Sequence, residues 1–295
     1  MKRTLLFLLA NLALIATLGL LASLVCAFCG TSLQELLGPD FGTIVLYALG
    51  YGFVGSIVSL LLSKTMAKKS CGAKTIDGTE GEAERWLVAT VRELAERANV
   101  RMPEVAIYPG QANAFATGAF RNSALVAVST DIMGQMTKEE LRAVLGHEMS
   151  HVANGDMVTM CLLQGVVNAF VIFFAYLFAS VVSGRRDDNG RRGGHASFVM
   201  ANQIAQSVLG LGGSVITMAF SRHREFAADA GSAKLLGTPR PMVAALRRLG
   251  NLKPGVLPES LKALGVASGL QKTLGKLLLS HPPLEDRIAA LGRIG

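Results

Sequence analysis

The 295-residue chain is 51% hydrophobic and only 17% charged, with a mean hydropathy of +0.41 and a formal net charge of +8. Soluble domains carry about 25% charged residues, so the composition excludes an ordinary soluble enzyme and points to a membrane protein with some soluble mass. The basic residues flank apolar segments rather than forming one block, which suits lipid headgroups, and no nucleic-acid-binding motif is present.

In chain order, Leu5 to Phe28 is apolar apart from Asn11, Thr17 and Ser23. That is long enough for a membrane helix, which takes about 20 residues. A signal peptide would have a shorter apolar core ending in a small-residue cleavage site, so a retained helix is expected. Cys26 and Cys29 spell C-x-x-C at the end of this run, with no second pair to complete a metal site, and read as small apolar fillers. Phe41 to Leu62 carries no charge and is a second span. Lys2 and Arg3 precede the first span, Lys64, Lys68 and Lys69 follow the second, and the loop between them has only Glu35 and Asp40. The positive-inside rule then puts both ends in the cytoplasm.

Residues 1–66 therefore read as two transmembrane helices, and 67–156 as the first half of a cytosolic domain. Glu82 to Ala98 has apolar residues at helical spacing. Glu104 to Tyr108, Ala112 to Thr117 and Ala124 to Ser129 are short apolar stretches bounded by turn residues, predicting strands of a small sheet. Thr137 with Glu140 forms a capping box for a helix ending at Gly155. Residues 157–220 form a hydrophobic helical hairpin, Met157 to Ser183 and Ser197 to Phe220, and 221–295 is the helical second half of the domain. The hairpin loop carries Arg185, Arg186, Arg191 and Arg192, against the positive-inside rule. Spanning is still expected, because Lys64, Lys68, Lys69, Arg222, Arg224 and Lys234 mark the other side as cytoplasmic. Gln164 with Asn168, and Asn202 with Gln206, would turn polar faces toward neighbouring helices or a wet cavity.

Within the capped helix, H-E-x-x-H places His147 and His151 four residues apart, on one face, where two imidazoles can hold Zn²⁺. Glu148 is set beside them to take a proton from the activated water. A catalytic zinc keeps one position for water and needs a third protein ligand. The sequence lacks the H-x-x-G-x-x-H continuation, so that ligand lies elsewhere. Glu225 is the best candidate and His223 its rival, because Asp229, one turn beyond Glu225, can accept a hydrogen bond from a ligating histidine.

The segments HEMSHVANGD, SRHREFAADAGSAKL and SHPPLEDRI, following NAFATG in this order, resemble the HtpX family of membrane-bound zinc endopeptidases, which is related to the CAAX prenyl proteases. The resemblance runs over nearly the whole chain and is weakest in 184–197 and 250–275. It implies a mainly α membrane protein bearing a gluzincin-like α+β protease domain with a small sheet. It also implies one zinc held by His147, His151 and Glu225, Glu148 as catalytic base, and a bacterial inner-membrane setting with a cytoplasmic site. The substrates would be misfolded or damaged membrane proteins. Under it, Asn113, Ala114 and Phe115 become an edge strand to which a peptide adds. His281, ahead of two prolines, and Arg287 become supports for the oxyanion. The alternatives are a membrane-anchored, chaperone-like binding protein with a structural zinc and a CAAX-type protease; the latter has more spans than the four counted here.

Overall fold

A computed structural model describes residues 41–184, 194–251 and 282–294. The first predicted span, Cys26 and Cys29, and the arginines of the hairpin loop fall outside the described residues. The chain divides into two compact units, Met1–Ile57 with Leu162–Thr217, and Val58–Cys161 with Met218–Gly295.

Helix α1 (Phe41–Cys71) follows the second apolar run but does not stop at Leu62. The segment SKTMAKKS contains neither glycine nor proline, so the helix continues until Gly72, at φ 64°. Two more long helices follow: α5 (Asp156–Gly184) coincides closely with the first predicted hairpin arm, whereas α6 (His195–Leu236) covers the second and runs on without a break past its expected end at Phe220. All three are long and apolar enough to cross a membrane.

In the first unit, Ile44, Val45 and Ala48 of α1 pack on Ala169, Phe173 and Leu177 of α5. Small residues set the spacing. A Cβ added at Gly52 would lie 2.7 Å from the Ala169 nitrogen, and one at Gly165 would lie 2.6 Å from the Phe53 ring. Close backbone approach of this kind is how membrane helices associate where apolar burial gives no advantage over lipid. Within α5 Gln164 donates to Asn168 Oδ1 at 2.7 Å, and between the helices Asn168 donates to Ser56 Oγ of α1 at 3.4 Å. Outward, Leu46, Tyr51, Met200, Ile204 and Val208 are exposed. Polar groups turned inward and large apolar ones outward suit a hydrocarbon solvent rather than water.

The second unit begins with β1 (Lys74–Ile76), too short to announce itself in the sequence, and the amphipathic α2 (Glu82–Arg97). Then come β2 (Glu104–Tyr108), β3 (Ala114–Thr117) and β4 (Leu125–Ser129), close to the three predicted strands. The sheet order is β1-β2-β4-β3; β2 and β4 are parallel and the other pairs antiparallel. Every residue of β4 is buried, as befits the strand between two neighbours, and β3 is left on the edge. The β3–β4 turn needs Gly118, whose φ is 139° and where a Cβ would lie 2.7 Å from the Ser123 carbonyl oxygen.

Ser129 ends β4 and caps the short α3 (Thr130–Gln135), accepting from the Ile132 N–H, which the sequence reading did not anticipate. Thr137 and Glu140 complete both halves of the capping box at the start of α4 (Lys138–Asn154). Gly155, at φ 70°, terminates α4, and α5 starts one residue later. Gly237, at φ 76°, ends α6, and α7 (Arg240–Asn251) and α8 (Leu284–Leu291) complete the described helices. Leu87, Leu94, Val126, Leu145, Met149, Leu246 and Leu291 belong to the core joining sheet and helices.

The tightest crossing in this unit is between α4 and the last turns of α6. A Cβ at Gly146 would lie 2.8 Å from Ser232 Oγ, and one at Gly231 would lie 2.7 Å from Ser150 Cβ. Ser232 Oγ also donates to the Ala143 carbonyl oxygen at 2.7 Å. Overpacking a site like this costs about 1–3 kcal/mol. Gly231→Ala should therefore lower the unfolding midpoint in detergent by a corresponding amount, and Ser150→Gly in the same chain should recover part of it. Equal midpoints for the wild type and Gly231→Ala would show that the crossing has slack.

Candidate active site

Helix α4 offers His147 and His151 from one face, and α6 crosses it closely enough to bring Glu225 opposite them. The two Nε2 atoms are 3.1 Å apart. Glu225 places Oε1 3.3 Å from His151 Nε2 and Oε2 3.5 Å from His147 Nε2. Around a tetrahedral ion with ligands at about 2.0–2.1 Å, ligand atoms sit about 3.3 Å apart. The three side chains thus fit a single metal ion through two nitrogens and one oxygen. His223, the rival, is exposed on the same helix and takes no part in this cluster.

Each histidine is held from behind. His147 Nδ1 is 2.9 Å from Asp229 Oδ1, and Arg287 grips the same carboxylate through Nη2 (2.7 Å) and Nε (2.8 Å). His151 Nδ1 is 2.5 Å from Asp156 Oδ2, and Arg224 Nη2 lies 2.5 Å from that oxygen. Arg224 Nη1 also donates to the Asp156 carbonyl oxygen. Two parallel relays result, histidine to aspartate to arginine, all of them largely buried. With Nδ1–H donated to a carboxylate, each ring presents the Nε2 lone pair to the metal position.

Asp229, expected from the sequence to back a histidine, lies behind His147, whereas Asp156 was not foreseen in such a role and Arg224 was read only as a topology charge. The signal was available in part. Two ligating imidazoles need two acceptors, and Asp156 is the first acid after His151, just past the helix-ending glycine. The Arg224 partnership depends on α6 folding back, which local spacing does not show.

Glu148 turns toward β3, where Ala116 N–H donates to its Oε2 at 2.7 Å. Asn113, Ala114, Phe115 and Ala116 line one wall of a cavity of about 540 Å³, with His147, Glu148, His151, Glu225 and Arg287 around the rest. Beyond its bonds to Asp229, Arg287 directs Nη1 toward Glu225 Oε2 at 3.4 Å. His281 lies outside the described residues.

Burial pushes the Glu148 carboxyl above the usual carboxylate range, against the pull of the neighbouring imidazoles. For His147, burial acts to lower the pKa, but the Asp229 and Glu225 carboxylates outweigh it and raise it above the ordinary value. The same contest at Arg287, burial against the Asp229 carboxylate, leaves the guanidinium more firmly charged than usual.

A pocket that can hold a metal between two imidazoles and a carboxylate, with a further carboxylate and an open strand edge at its side, defines a metallopeptidase. Here it belongs to a membrane protein. The model for peptidase family M48 matches residues 82–294. A protease HtpX homolog of Albidiferax ferrireducens is 49% identical over 293 residues, covering 99% of this chain and 98% of that protein. Another, from Janthinobacterium sp. (strain Marseille), is 51% identical over 294 residues, covering 99% of both. The chain belongs to peptidase family M48 and, within it, to the HtpX proteases. A crystal structure of S. mikatae Ste24p shares the fold, with a TM-score of 0.57 at 19% identity over 95% of this chain and 66% of that one.

If the relays orient the histidines, Asp156→Ala should weaken metal binding about 10- to 100-fold, as Asp229→Ala should. Competition with a chromogenic chelator measures this. Wild-type affinity in Asp156→Ala would make its contact with His151 incidental.

Proposed function

We propose that the chain is an integral membrane zinc endopeptidase, held in the bacterial inner membrane by transmembrane helices with its site and both termini facing the cytoplasm. The observation that carries this reading is the 3.1–3.5 Å spacing of His147, His151 and Glu225 at the wall of a cavity that also holds Glu148. Zinc is favoured over harder cations because imidazole nitrogens supply two of the three donors. When bound, the metal supplies Lewis acidity toward water and the scissile carbonyl.

The remaining chemistry falls to the protein. Glu148 takes a proton from the attacking water and delivers it to the departing amine nitrogen. Asp229 and Asp156 fix the ring orientations of His147 and His151. Arg287 braces Asp229 and sets positive charge beside the cavity, where the oxyanion develops; His281, which precedes Pro282 and Pro283 in the sequence, is assigned to the same task. The edge strand with Asn113, Ala114 and Phe115 receives the substrate in extended form, because an unpaired strand edge offers backbone hydrogen bonds to any peptide able to lie along it. Such recognition favours polypeptide that has lost its native structure, and the membrane location makes misfolded or damaged membrane proteins the substrate class.

Glu148→Gln should retain its metal and lose cleavage of an unfolded polypeptide by about 10²- to 10⁴-fold. Cleavage is read by gel with and without chelator, and metal by elemental analysis. Normal turnover by this variant would sink the mechanism. Absence of proteolysis in every zinc-loaded sample, with unfolding on zinc removal, would favour the chaperone-like binding protein instead.

A further inference from the structure

The open edge of β3 does not present equivalent backbone groups. Ser129 N–H donates to the Asn113 carbonyl oxygen at 2.9 Å, and Asn113 N–H donates to Ser129 Oγ at 3.0 Å, so the Asn113 backbone faces β4. The strands are antiparallel, with Ala114 opposite Val128 and Ala116 opposite Val126. Backbone groups along such a strand point alternately toward and away from the partner. Phe115 and Thr117 therefore also face β4, while Ala114 and Ala116 face out into the cavity. The contact between Ala116 N–H and Glu148 Oε2 agrees with that parity.

We infer that Ala116 is a positioning residue for the reaction: its outward amide holds Oε2 of Glu148 so that Oε1 is the oxygen that exchanges protons. This rests on the endopeptidase reading above. The terminal torsion of a glutamate is broad and has no sharp rotamer of its own, so a hydrogen bond must fix the carboxylate plane. The proton balance is simple. Water gives a proton to Oε1 as its oxygen bonds to the carbonyl carbon, and Oε1 gives that proton to the amine nitrogen as the C–N bond breaks. Oε2 can keep its bond to Ala116 throughout, since a carboxyl protonated on one oxygen still accepts on the other.

The strand edge then divides its work. Ala114, with both an N–H and a C=O facing out, serves the substrate backbone. Ala116 gives its N–H to Glu148 and leaves only its C=O for the peptide. The spacing of two residues follows from the strand period, so substrate and base are registered against one another by a single short strand.

The test uses the full chain in detergent, loaded with zinc, and steady-state cleavage of a fluorogenic unfolded polypeptide. Ala116→Pro deletes the N–H and keeps the C=O, and an edge strand tolerates proline where the N–H faces away from the ladder. It should lower kcat by roughly 10- to 100-fold, the rate equivalent of one hydrogen bond to a charged group, with zinc content unchanged and KM moved little. Ala114→Pro should act mainly on KM. A loss in Ala116→Pro confined to KM, or wild-type kcat, would overturn the inference while leaving the edge-binding reading standing on Ala114→Pro. If neither variant changes either constant, both ideas fall. Amide hydrogen exchange gives a second readout that does not require the proline variant to fold. The Ala116 amide should exchange more slowly than that of Ala114 in the wild type, and Glu148→Ala should remove the difference; equal exchange in the wild type overturns the inference.

Discussion

The absence of side-chain bulk between α4 and α6 governs the site. Gly146 faces Ser232 and Gly231 faces Ser150, so the two helices approach with no room for a methyl group between them. That contact lets a carboxylate on α6 reach imidazoles on α4 at ligand distances. The contacts that join α6 to α4 are built on this: Asp229 behind His147, and Arg224 behind the Asp156 that backs His151. Serine is suited to the role, because each hydroxyl returns to a carbonyl of a helix backbone, Ser150 to Gly146 and Ser232 to Ala143, and leaves no unsatisfied polar group at the crossing.

Burying so much charge needs a compensating charge. Glu148, Glu225, Asp156 and Asp229 surround the cavity and its back wall, set against Arg224 and Arg287. Fully ionised, these four acids and two bases leave a surplus of two negative charges, which a divalent cation would neutralise. The relays also explain why arginine rather than lysine stands behind Asp229: Nε and Nη2 contact its two oxygens separately, a planar grip that an ammonium cannot make.

Much of this was legible in the sequence because it is local. The His147–Glu148–His151 spacing, the Thr137–Glu140 cap, the Gly155 stop and the three strands all depend on neighbours a few residues away, and each appears in the structure where the pattern put it. Glu225 was found by its own local partner, Asp229. What stayed hidden depends on distant contacts. Asp156 read only as the end of the first half of the domain, just ahead of the apolar hairpin, and Arg224 as one of several basic flanking residues, until the return of α6 joined them. The Ala116 contact was hidden for a different reason. It is made by a backbone amide, and an alanine side chain carries no trace of it. The short β1 and α3 gave no periodicity to read.

Strand β3 is only four residues long, about 13 Å at the usual rise of a strand. On the proposed reading, the edge binds through main chain, which every polypeptide has in common, so side chains would do little to separate one protein from another. Selection then passes to the substrate. A segment enters only when its own backbone is released from helix or sheet, and the cutting rate follows the population of that released state. A protein destabilised by about 1.4 kcal/mol in the relevant region would present the open segment ten times as often. On that reading, the brevity of the edge would set the size of the local opening that counts as damage, and the thermodynamic stability of the client would be its protection.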